Sequence, residues 1–129
     1  MQKQELIHSH ILVAIFCGWE AARPNKTYPN GYLRLHSGDG DEMPETVSNE
    51  NILEELPYGS DWNYLMVAYN EFRDIIKDQN DPENEEDLTQ VKDSLAQAIL
   101  DFNIDLAFKE LVRGITMYNQ IKIQEHEDS

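Results

Sequence analysis

Apolar side chains recur at helical spacing in four separate stretches of this chain, and the interval between the first and second stretch breaks that rhythm. Four one-sided helices must each bury a stripe, and the interval needs an element of another period. The first stretch covers about Gln4 to Cys17, with Leu6, Ile7, Ile11, Leu12, Ile15 and Phe16 on the stripe and Gly18 as its stop. The second opens at Ser60-Asp61, which places a capping oxygen before Trp62, and is predicted to run to about Lys77 through Leu65, Met66, Tyr69, Phe72, Ile75 and Ile76. The third spans roughly Glu85 to Leu100 on Leu88, Val91, Leu95, Ala98 and Ile99. Asn103 reads as the cap of a fourth, with Ile104, Ala107, Phe108, Leu111, Val112, Ile115 and Tyr118 in line and Ile121 at its far end. Gly114 sits in the middle of that helix at a cost of about 1 kcal/mol against Ala. Its bare backbone permits a close helix contact.

Within the interval, Tyr32 to His36 alternates in the manner of a half-buried strand, after a loop that closes on Pro29-Asn30-Gly31. Ser37 to Asp41 turns the chain, and further short strands are predicted near Glu45 to Ser48 and Ile52 to Leu56, with Pro57 as the stop. Asp78 to Asp87 reads as a polar loop around a central proline. The order gives an α+β fold: a small antiparallel sheet of two or three short strands packed with about four helices. Residues 1–124 are expected to form a single domain, since 129 residues is a common single-domain size, and 125–129 to be a disordered acidic tail with nothing apolar to bury.

Charge is the lopsided property. The formal net charge is −15, and the stretch from Asp39 to Asp87 holds 16 acids against Arg73 and Lys77, which is −14 of that total. Phosphate polyanions and anionic membranes would be repelled, so neither direct nucleic-acid binding nor membrane binding is expected. The longest apolar run, Ile11 to Gly18, is far short of the roughly 20 residues of a membrane span. Lys3 is offset by Glu5, unlike the basic start of a signal peptide, so a cytoplasmic setting is expected. The lone Cys17 cannot form an internal disulfide and reads as a small apolar residue of the first helix.

No reaction-specific motif is present: the chain has no GxSxG, no glycine-rich phosphate loop and no HExxH. His8 and His10 are two apart and so fall on different helix faces, and Asp39-Gly40-Asp41 beside His36 is too short for a calcium loop. The chain is therefore read as neither an enzyme nor a metal or cofactor protein. Tyr58, Asp61, Trp62 and Tyr64 gather at the start of the second helix, either as cap and core anchor or as aromatic walls of a ligand pocket. A small nucleotide-like ligand would use Trp19, Tyr58 and Trp62 for stacking and Arg23, Lys26 and Arg34 for charge.

Three stretches carry a resemblance: IFCGWE at Ile15 to Glu20, LPYGSDWNYLMVAYNEF at Leu56 to Phe72, and IDLAFKELVRGITMYN at Ile104 to Asn119. Together they resemble a group of small, mostly uncharacterised proteins of phages and mobile elements in gut Bacteroides-type bacteria, with an FMGW-like helix end, a YHxSWDWLMPVVEKI-like helix start and an FIKWYN-like final helix. Gly59 stands where that group tends to have His, and Met117 where Trp is usual. The resemblance implies a compact α/β fold and a phage or mobile-element setting inside a bacterial host. It implies no activity.

The leading expectation is a non-catalytic accessory protein that binds a basic macromolecule, a protein partner above all, through an acidic face containing Asp39, Asp41, Glu42, Glu45, Glu54 and Glu55. A narrower form is a DNA mimic whose carboxylates, spaced like phosphates, occupy the DNA groove of a host defence protein. A second class sequesters the nucleotide-like ligand. A third is a homo-oligomeric or virion-associated module, which an exposed apolar stripe on the last helix would support.

Overall fold

The computed structural model describes residues 2–35, 45–77 and 82–127, with side chains described outside 82–87 and 124–127. It is an α+β arrangement with five α-helices and a three-stranded antiparallel sheet. The chain divides into two compact units, Met1–Tyr58 and Gly59–Ser129.

The first unit holds helix α1 (Lys3–Phe16), strands β1 (Glu20–Ala22), β2 (Tyr32–Leu35) and β3 (Glu45–Ser48), a 3-10 turn at Asn49–Asn51 and the short helix α2 (Ile52–Glu55). Helix α1 ends at a left-handed Gly18 with φ of 108°. There Trp19 N–H reaches Ala14 O at 3.0 Å and Gly18 N–H reaches Ile15 O at 3.1 Å, the paired bonds of a Schellman stop. The stripe predicted for this helix is rotated. Ile7, His10, Val13 and Ala14 are buried, whereas Ile15 is exposed and Leu6, Ile11, Leu12 and Phe16 are half-buried. From Ile11 to Phe16 the helix is apolar on every side, so spacing alone does not single out the inward face.

The sheet order is β1-β2-β3, with Leu33 of the central strand paired to Val47 on one side and Ala21 on the other. Leu33 is fully buried and Val47 nearly so. Strand β3 lies where it was predicted. Strand β1 falls in a segment predicted to be loop, because three residues reading Glu-Ala-Ala show no alternation to detect. The stretch predicted as a strand near Ile52 is instead α2. Ser48 Oγ accepts from Glu50 N–H at 3.3 Å and starts the turn that leads into it. Four residues are too few to tell period two from period 3.6.

The second unit is a three-helix bundle of α3 (Trp62–Lys77), α4 (Pro82–Leu100) and α5 (Ile104–Glu127). Asp61 caps α3: its side chain accepts from Asn63 N–H at 2.8 Å and its carbonyl from Leu65 N–H at 3.0 Å. Leu65, Ala68, Phe72 and Ile76 of α3, Leu88, Val91, Leu95 and Ala98 of α4, and Ala107, Phe108, Leu111, Ile115 and Ile121 of α5 are buried. Gly114 lets α5 approach both neighbours, since a Cβ there would lie 2.9 Å from Phe72 Cε2 and 3.0 Å from Val91 Cγ1. Helix α4 begins earlier than predicted, inside the polar stretch, because Pro82 occupies its first position, where a missing N–H costs nothing. Helix α5 continues to Glu127, into the stretch expected to fray. No helix among the described residues is long and apolar enough to cross a membrane.

Candidate functional site

The first unit contains a cleft of about 320 Å³ between one face of α1 and the turn that flanks the sheet. Gln4, Ile7, His8 and Ile11 form the helical wall, in the order expected of a single face. Asn30, Asn49 and Glu50 form the other.

That second wall is held by its own hydrogen bonds. Pro29 and Asn30 occupy the centre of a turn in which Gly31 N–H donates to Tyr28 O at 3.1 Å, and the entry is pinned where Tyr28 N–H donates to Asn25 Oδ1 at 2.7 Å. Gly31 follows with φ of 91°, a conformation that favours glycine, and a Cβ on it would press on the Asn49 amide at 2.9 Å from Nδ2. Asn49 N–H donates to Gly31 O and Asn49 Nδ2 to Asn30 O, each at 3.1 Å. The Asn30 side-chain amide donates to Glu50 Oε1. Because Asn49 Nδ2 must face a carbonyl, the orientation of the amide is fixed and its Oδ1 is left as an acceptor. Asn49 Oδ1 is buried and has no hydrogen-bond partner among the described residues. The wall thus contributes the Glu50 carboxylate, and no Lys or Arg is among the described residues that line the cleft.

The residues predicted from sequence lie elsewhere. Trp19 and Tyr58 are buried, at 9% and 3% exposure, and so present little surface for stacking. Trp62 is half-buried and belongs to the second unit. Arg23 and Lys26 are exposed, while Arg34 Nε pairs with Glu20 Oε2 at 2.9 Å across the β1–β2 register. None of these six lines the cleft. Of the predicted acidic face, Glu45, Glu54 and Glu55 are exposed. Asp39, Asp41 and Glu42 lie outside the described residues, as does the His36 cluster. Among the described residues no group of three or more His, Cys, Asp or Glu is placed to hold a metal ion.

His8 and His10, two apart and on different helix faces, have different surroundings in the structure. His10 is 3% exposed, its Nδ1–H donates to Leu6 O at 2.8 Å, and its ring lies 6.4 Å from that of Tyr58. Burial pushes its imidazole below the ordinary histidine value, partly opposed by the Leu6 bond. His8 is exposed on the cleft wall. Asn49 and Glu50 were not anticipated as site residues: the signal was the Asn-Gly at Asn30, but nothing in the sequence shows that a later turn folds back onto it.

Comparison with protein-family models, curated proteins and solved structures finds no match to this chain.

Proposed function

We propose that this protein is a non-catalytic accessory factor of a phage or mobile element that works by capturing a basic protein. The observation that carries the reading is the state of the acids in the first unit. Glu45, Glu50, Glu54 and Glu55 are all exposed, and neither the Arg34–Glu20 nor the Arg113–Glu110 ion pair engages them. Carboxylates that are not neutralised internally keep their field, and a concentrated field of one sign steers an oppositely charged partner and speeds its capture. The setting rests on the resemblance of the IFCGWE, LPYGSDWNYLMVAYNEF and IDLAFKELVRGITMYN stretches.

The test is affinity capture from a Bacteroides-type host lysate, run beside a Glu45→Gln, Glu54→Gln, Glu55→Gln triple variant. The expected result is a basic protein retained at low salt by the wild type and depleted on the variant. A lysate that yields the same retained proteins on both baits would overturn the reading.

A further inference from the structure

We infer that the corner between α4 and α5 is a docking knob for a basic protein, whose apolar surface, bordered by Lys or Arg, closes over Phe102. Large apolar side chains are concentrated at this corner. Leu100 at the end of α4 is 72% exposed, Phe102 is 84% exposed, and Leu106 in the first turn of α5 is 44% exposed. Single exposed apolar residues are ordinary on a protein surface, but three so close together around one tight corner form a patch of the kind that marks an interaction site. The backbone also works against an aromatic here. Phe102 has φ of 56°, which glycine or asparagine adopts at less cost than a bulky residue. The ring recovers little of that cost inside the fold, since it stands almost wholly in solvent. Backbone strain of this kind collects where a side chain is held ready for a ligand or partner.

The charge around the patch selects its occupant. Asp101 and Asp105 are both exposed, and the stretch from Leu100 to Leu106 contains no base. Asp101 is held beside the patch by accepting from Gln97 Nε2 at 3.2 Å. An apolar anchor flanked by carboxylates is complementary to an apolar surface with a cationic rim. A second copy of this chain is disfavoured by the same charges. Each copy has a net charge of −15, and a two-fold contact through the corner would bring Asp101 and Asp105 toward their equals.

The inference deepens the proposed capture of a basic protein and rests on that reading. It adds an apolar anchor in the second unit to the exposed acids of the first.

The experiment is a titration of the full chain, followed by backbone amide chemical shifts, with a short peptide that repeats Leu and Lys at helical spacing and with a scrambled peptide of the same composition. The amphipathic peptide is expected to saturate with a dissociation constant on the order of 0.1 mM, with shifts centred on Gln97 to Lys109. The scrambled peptide has the same charge without the apolar stripe and is expected to bind at least about tenfold more weakly. Phe102→Gly and Phe102→Asn both suit left-handed backbone and so keep the corner, yet each is expected to weaken the amphipathic peptide about tenfold or more. Asp101→Asn combined with Asp105→Asn should weaken it about threefold at low salt and by less at high salt. Ile123→Ala, which trims an exposed apolar residue further along α5, should leave binding unchanged. Equal affinity for the scrambled peptide would overturn the inference, as would shifts that spread over the acidic surface without saturating, or unaltered binding in both Phe102 variants. Self-association of the wild type that Phe102→Gly abolishes in sedimentation equilibrium would also overturn it, because a second copy would then be the occupant. Capture of a basic protein that Phe102→Gly retains equally well would remove the corner and leave the proposed function standing, whereas Phe102-dependent peptide binding without capture would do the reverse.

Discussion

Gly114 and Phe72 show how a single absent side chain sets the spacing of a helix pair. Phe72 is fully buried, so its ring has nowhere to swing if a methyl group is added opposite its edge. Alanine is the better helix former by about 1 kcal/mol, but overpacking a filled core costs about 1–3 kcal/mol. Gly114→Ala is therefore expected to lower stability by about 1 kcal/mol in urea unfolding, within a net range of about 0–2 kcal/mol, and a raised midpoint would contradict the contact. His10 makes a prediction of a different kind. Burial holds its folded-state value below the ordinary value of about 6.5, so on acidification the unfolded chain takes up a proton that the native state refuses. His10 therefore contributes stability above that pH, and the contribution is lost as pH falls through the folded-state value. Wild type should lose more stability than His10→Gln between about pH 7 and pH 5.5; parallel profiles would show that the imidazole is not the cause.

Among the elements, the α4–α5 corner is built against a local preference. Phe102 adopts φ of 56° in the left-handed region and is 84% exposed. The corner closes the end of α4 through Phe102 N–H to Ile99 O and Asn103 N–H to Ala98 O, both at 3.0 Å, and Asn103 Oδ1 then caps α5 by accepting from Leu106 N–H at 3.2 Å. Left-handed backbone costs a residue with a Cβ about 1–2 kcal/mol, and an aromatic so exposed recovers little by packing. Phe102→Gly should raise the thermal midpoint by a few degrees, equivalent to about 0.5–1 kcal/mol. A lower midpoint would mean that the ring is held by contacts the corner depends on. The same comparison explains which elements were legible. Helix α3 spans the residues that its Asp61 cap and its Leu65–Phe72–Ile76 spacing predicted, because both signals are local and long enough to repeat. Strand β1 and helix α2 were illegible because three or four residues cannot display a period, and their form is decided by pairing with β2 and by packing on α1. The cleft was illegible for a related reason: its second wall comes from Asn49 and Glu50, brought to Asn30 by the β2–β3 register and not by any spacing along the chain.

At the level of the whole chain, the α+β composition follows from the order of stripes and gaps, while the organisation into two compact units does not, because the Pro57 to Ser60 turn where they meet is as short as an ordinary connection between elements. The charge distribution is the property that the function proposed here depends on. The stretch from Asp39 to Asp87 carries 16 acids and two bases, and Glu45, Glu54 and Glu55 within it stand in solvent. Exposed charges act over about 10 Å at 0.1 M ionic strength and over about 3 Å at 1 M, so a capture driven by them must fade as salt is added. The decisive measurement is the dissociation constant of the captured basic protein as a function of salt, for the wild type and for the Glu45→Gln, Glu54→Gln, Glu55→Gln variant. The expected result is at least a tenfold loss of wild-type affinity between about 0.05 and 0.3 M salt, with a weaker start and a shallower decline for the variant. An affinity that ignores salt and is the same in both proteins would contradict the account.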